Sequence, residues 1–62
     1  MDANRKLRDM REDMDITQKK MAGMLNLTLS GYSRKENGNR GFTIEEAKKL
    51  AKIFQVTVEE LF

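Results

Sequence analysis

The chain contains neither cysteine nor histidine. Disulfide staples are therefore excluded, and a zinc or copper site built on thiolate or imidazole has nothing to form from. Long apolar runs are missing too. Nothing approaches the roughly 18 residues of a membrane span, and the start, MDANRKLRDM, lacks the apolar region of a signal peptide. A cytoplasmic protein without a membrane partner is the expectation. There is no internal repeat or low-complexity tract. With 62 residues the chain is expected to form one domain, residues 1–62, near the lower size limit for an unaided core, because such a domain buries only about 60% of its unfolded surface. That core must stabilise itself or draw on a partner chain.

Catalytic chemistry is scarce. REDMD offers Glu12, Asp13 and Asp15 as carboxylates, but without histidine or cysteine, and with too little chain for a closed pocket, an enzyme is the weakest reading. Those acids more simply end the first helix in solvent. No metal, cofactor or small-molecule ligand is expected.

What is present is charge, unevenly placed. Residues 1–16 hold four basic and five acidic side chains, residues 17–41 five basic and one acidic, and residues 42–62 three basic and four acidic. The middle segment thus carries +4 and each flank −1. A basic patch is the footprint of a surface that meets a polyanion, although a solvated charged face gives the same count.

Periodicity predicts an all-α chain of five short helices. Leu7, Met10 and Met14 recur at helical spacing over a helix from about Ala3 to Asp13, which Asp15 breaks. Thr17 is a good N-cap for QKKMAGML, where Met21, Met24 and Leu25 share one side and Ala22 offers a small surface beside them. Asn26 tolerates the left-handed conformation that ends a helix, and Thr28 stands ready to cap the next one. The expectation is helix, tight turn, helix. Gly38 and Gly41, among Asn37, Asn39 and Arg40, mark a loop. Thr43 with Glu46 and Thr57 with Glu60 form capping boxes, flanked by Phe42 and Ala47 and by Val56 and Leu61 at the positions of hydrophobic staples. Ile44, Ala47, Leu50, Ala51 and Phe54 mark the buried face of the fourth helix.

The third helix, in TLSGYSRKENGNRG, raises a question. Gly31 lies near its middle, where glycine costs about 1 kcal/mol relative to alanine. At 3.6 residues per turn, Ser30, Ser33, Arg34 and Asn37 form one polar stripe with Gly31 at its edge, while Tyr32 points into the domain. Small side chains on an exposed face let a helix approach a close-fitting object, and the DNA major groove, about 12 Å wide, admits one α-helix. A glycine merely tolerated on the surface is the plainer alternative.

From Leu7 to Phe62 the chain resembles the Cro and phage-repressor family of helix-turn-helix regulators, also called the XRE family. The resemblance rests on TQKKMAGMLNLT (17–28), on YSRKENG (32–38) and on the VTVEELF ending. It implies a compact five-helix, lambda-repressor-like domain that binds double-stranded DNA, commonly as a homodimer on a palindromic operator. The second helix would lie across the DNA backbone and the third in the major groove. Base-reading positions carried over are Leu29, Ser30, Gly31, Ser33 and Arg34. Arg34 can donate two bonds to guanine, the serines can donate or accept, and Leu29 can meet a thymine methyl. For Arg34 a phosphate contact or surface ion pair is the alternative, and for Leu29 packing against the turn. Phosphate positions are Gln18 and Thr28 at helix N-termini, with Asn37 and Arg40 in the loop. Arg11 and Glu36 match an internal salt bridge between the first and third helices.

Two departures accompany the match. Asn26 stands where the family most often has glycine, and Lys35 where many members bury an aliphatic or aromatic residue. A lysine there can bury its stem and leave packing looser, or reach a phosphate. A homodimer contact is expected at the C-terminal end, from Val58, Leu61 and Phe62, with Leu61 turned inward by its staple and Val58 or Phe62 outward. The leading function is a sequence-specific transcriptional regulator, a bacterial or phage repressor. A protein-interaction module such as a small antitoxin, using the same fold, is the alternative.

Overall fold

The computed structural model describes residues 4–62, which form α1 (Arg5–Asp13), α2 (Gln18–Met24), α3 (Leu29–Glu36), α4 (Ile44–Phe54) and α5 (Val58–Leu61). No strand occurs among the described residues. The expected start of the first helix at Ala3 lies outside them.

Short helices need defined ends, and the sequence supplies both kinds. Thr17, Thr28, Thr43 and Thr57 each accept a hydrogen bond from the backbone N–H three residues on, so every helix after the first begins with a threonine cap. Both capping boxes form. Helices α1 to α4 end alike, each on one left-handed residue: Asp15, Asn26, Gly38 and Gln55, with φ of 55°, 58°, 86° and 58°. The next amide reaches back five residues in every case: Ile16 to the Arg11 carbonyl, Leu27 to Ala22, Asn39 to Arg34 and Val56 to Ala51. This Schellman arrangement satisfies the last carbonyls and turns the chain sharply. Asn26 thus adopts the conformation expected of it.

The core gathers Leu7, Met21, Ala22, Leu25, Tyr32, Leu50 and Leu61, with Met10, Ile16, Leu27, Phe42, Ile53, Phe54 and Val56 packed partly buried around it. Three expected core residues lie outside. Met14 is 52% exposed, because α1 stops at Asp13 and the reversal at Asp15 turns Ile16 inward instead. Met24 is 41% exposed, since Met21, Ala22 and Leu25 define the inner face of α2 and Met24 falls off it. Ile44 is 75% exposed; it opens the first turn of α4, and the inward face starts with half-buried Ala47. Of the C-terminal residues, Leu61 is fully buried within its own chain, which leaves Val58 and Phe62 as the exposed apolar pair. Phe62 stacks at a tilt on Phe42, centroids 5.5 Å apart, and Phe42 in turn meets Tyr32 at 6.1 Å.

Candidate nucleic-acid interface

α3 has two faces with opposite fates. Its outer side carries Leu29, Ser30, Arg34 and Asn37, all exposed, with Gly31 and Ser33 half-buried between them. The Arg34 side chain has no hydrogen bond or ion pair among the described residues, so its five donors are available. Its carbonyl accepts from the amides of Asn39 and Arg40 at 2.9 and 3.3 Å, which folds the following loop back onto the helix and sets exposed Arg40 beyond the end of the stripe.

The inner side is tied to the scaffold. Glu36 is fully buried and accepts four hydrogen bonds: from Arg11 Nε at 2.8 Å and Nη2 at 3.1 Å, from the Tyr32 hydroxyl at 2.6 Å and from Gln18 Nε2 at 3.0 Å. Arg8 Nε stands 3.8 Å away. Arg11 uses its remaining reach to donate to the Ile16 carbonyl at 2.7 Å. The expected bridge between α1 and α3 is therefore present, buried and two-pronged. Burial alone would raise the Glu36 carboxyl, but the bonds from Arg11, Tyr32 and Gln18 outweigh it and hold the group below the usual carboxylate range. The Arg11 guanidinium is raised by its bond to Glu36 against the opposing effect of burial. Burial pushes the Tyr32 hydroxyl up, and its bond to Glu36 adds to that. No buried side-chain N or O lacks a partner among the described residues.

This node reaches the residues assigned to phosphates. Gln18 opens α2, and its amide leans onto Glu36, so the N-terminus of α2 is fixed relative to α3. Thr28 spends its hydroxyl on the Gly31 amide at 3.0 Å. A Cβ built at Gly31 would come 3.0 Å from that same hydroxyl, yet Lys20, Glu46 and Glu60 stand in the same relation to their capping threonines, with cap bonds of 3.1 Å. Glycine is thus not needed for the cap.

Lys35 does not reach toward a phosphate. Its stem is buried and its ammonium bonds Glu46 Oε1 at 2.6 Å, 6.0 Å from the Phe42 ring centroid. The same oxygen accepts from the Thr43 amide at 2.9 Å, so one carboxylate both caps α4 and fastens it to α3. Burial would raise the Glu46 carboxyl, but Lys35 and then Thr43 lower it. At the other end, Asn4 Nδ2 donates to the Lys35 carbonyl at 2.7 Å, tying the start of α1 to α3. Neither contact is expected from the sequence. Tyr32 and Glu36, four residues apart on one helical face, carried a legible signal; Lys35 and Glu46, on different helices, did not.

Among the described residues no three histidine, cysteine or acidic side chains are grouped to hold a metal ion, and no helix is long and apolar enough to cross a membrane.

Comparison with known proteins agrees with this geometry. A family model described as Helix-turn-helix matches residues 7–61. The chain is 33% identical over 61 residues to the HTH-type transcriptional activator BcrR of Enterococcus faecalis, covering 98% of this chain and 30% of that protein. It is 34% identical over 62 residues to the competence pilus inhibition repressor of Acinetobacter baylyi, covering 100% of this chain and 56% of that one. The chain thus spans about a third to just over half of these relatives. No solved structure matches it. With two helices joined by the Asn26 turn, and a second of them presenting an untied polar face, the chain belongs to the helix-turn-helix family of the Cro and phage-repressor, or XRE, type.

Proposed function

We propose that the chain is a sequence-specific DNA-binding transcription regulator that lays α3 in the major groove. Leu29, Ser30, Gly31, Ser33 and Arg34 read bases, while Gln18, Thr28, Asn37 and Arg40 meet phosphates. The observation that carries this reading is the contrast between the two sides of α3: the inner side is locked by Glu36 and Lys35, and the outer side offers Arg34 with its donors unspent. A rigid helix with an uncommitted guanidinium is what direct readout requires, because a bidentate contact to guanine depends on fixed geometry. One relative is named an activator and the other a repressor. Repression is the direction we assign, because occupying a promoter requires no contact beyond those that hold the DNA. The protein binds a palindromic operator as a homodimer through exposed Val58 and Phe62, setting two α3 helices about 34 Å apart, one DNA turn.

Selection of sites from a random DNA pool tests this directly, and it should return a two-fold sequence. On the selected site Arg34→Ala should lose about 1 to 3 kcal/mol and relax preference at one base position, whereas Arg40→Ala should weaken all sequences alike and flatten the salt dependence. Equal losses on selected and random DNA for Arg34→Ala would remove its base-reading role. A pool that yields no enriched sequence, with a tight protein complex found instead, would favour the interaction-module function.

A further inference from the structure

The two methionines displaced from the core stand in opposite electrostatic surroundings. Met14, 52% exposed, lies just past the end of α1 among exposed Glu12, Asp13 and Asp15. Glu12 leans toward Arg11, 3.9 Å away, while the carboxylates of Asp13 and Asp15 have no hydrogen-bond or ionic partner among the described residues. Met24, 41% exposed, borders a groove of about 440 Å³ between the end of α2 and the C-terminal half of α4, lined also by Ile53, Lys49 and Lys52. Ile53 packs against the core; both lysines are exposed and without an ionic partner among the described residues. None of the residues assigned to DNA lines this groove.

We propose that the groove receives the Met14 tip of a second copy of this chain. The two surfaces are each apolar at the centre and opposite in sign around it. A methionine is unbranched and adapts to a shallow apolar site, and the lysine stems can lie along it while their ammonium groups reach carboxylates. Tip against tip and groove against groove both juxtapose like charges, so only the tip-to-groove pairing is attractive. A chain cannot fill its own groove, because α2, seven residues long and so about 10 Å, separates the two surfaces. The contact is heterologous and distinct from the C-terminal pair. It is small, so its dissociation constant is on the order of 1 mM in free solution and weakens with salt; chains held side by side on DNA gain it by proximity.

The test uses the protein without DNA, following methionine methyl resonances on dilution from about 1 mM to about 10 µM. Met14 and Met24 methyls should shift together. Reversing the groove (Lys49→Glu with Lys52→Glu) or the tip (Glu12→Lys with Asp13→Lys) should each weaken association at least tenfold, and mixing the two variants should restore it, since each reversed surface then meets a reversed partner. Met14→Gln, which leaves the charges alone, should weaken it as well and serves if a charge reversal fails to fold. Concentration-independent Met14 and Met24 signals would overturn the proposal. So would an association that Phe62→Ala alone removes, or a mixture of the two reversals that stays apart. A groove reversal that self-associates normally while losing DNA affinity would assign the lysines to the DNA backbone instead.

Discussion

Gly31 sits at a helix cap that does not require glycine. Its amide donates to Thr28 and its missing side chain would press on the same hydroxyl at 3.0 Å, but three other threonine caps in this chain accommodate a full side chain at the equivalent position. Alanine at Gly31 therefore costs the cap little and gains about 1 kcal/mol of helix propensity. Gly31→Ala should raise the melting temperature, whereas Gly31→Val, which thickens the outer face, should abolish operator binding and still fold. Normal DNA binding by Gly31→Val would make the glycine a passive surface residue. Glu36 lies at the other extreme. Its carboxyl is depressed in the folded state, so the unfolded chain binds the proton more readily, and the stability it contributes is present above the ordinary carboxylate pKa and lost as pH falls through the folded value. Glu46 is depressed too and acts with the same sign. Unfolding followed from neutral to acid pH should show falling stability in that window. Glu36→Gln should flatten the fall and lower stability at neutral pH by about 3 to 5 kcal/mol, because Arg11 is left buried without its counter-charge.

At the scale of helices, local chemistry was almost fully legible. Threonine caps, capping boxes and the Asn26 turn are written in three or four adjacent residues, and each stands where periodicity and cap rules place it. The apolar pattern misleads at helix ends: Met24 and Ile44 occupy a last and a first position and Met14 the cap just beyond α1, where the chain leaves the helical path and the projected face no longer applies. Contacts between helices were legible only where the family resemblance named them, as for Arg11 with Glu36. Lys35 with Glu46 depends on how α3 and α4 cross, which no local spacing encodes. Glutamine gives no left-handed signal, yet Gln55 holds φ of 58°. Glycine is the residue best suited to that conformation. Gln55→Gly should therefore stabilise the domain by about 1 kcal/mol, read as a rise in melting temperature of about 4 to 8 °C. A fall instead would mean that the Gln55 side chain contributes something its exposure conceals.

For the molecule as a whole, the proposed pairing places the choice between one chain and two per site at the C-terminal end. Val58 and Phe62 are 38% and 42% exposed, and Phe62 already rests on Phe42 with one of its faces, so a partner needs to cover only the other. Burial over so small a patch should give weak pairing in free solution and fuller pairing on DNA. Sedimentation of the free protein, combined with stoichiometry on the selected operator, should find two chains per full site and loss of the second on Phe62→Ala. One chain per full site, indifferent to Phe62→Ala, would refute the pairing.

The division of α3 into a fastened and an unfastened side has a practical corollary. Tyr32, Lys35 and Glu36 carry every side-chain bond that seats the helix among the described residues, and Ser30, Ser33 and Arg34 carry none. The side of this helix proposed to read bases is thus separable from its mounting. A library randomised at exposed Ser30 and Arg34 should fold almost uniformly, whatever its members recognise, which makes the domain a scaffold on which new targets can be written without re-engineering its interior.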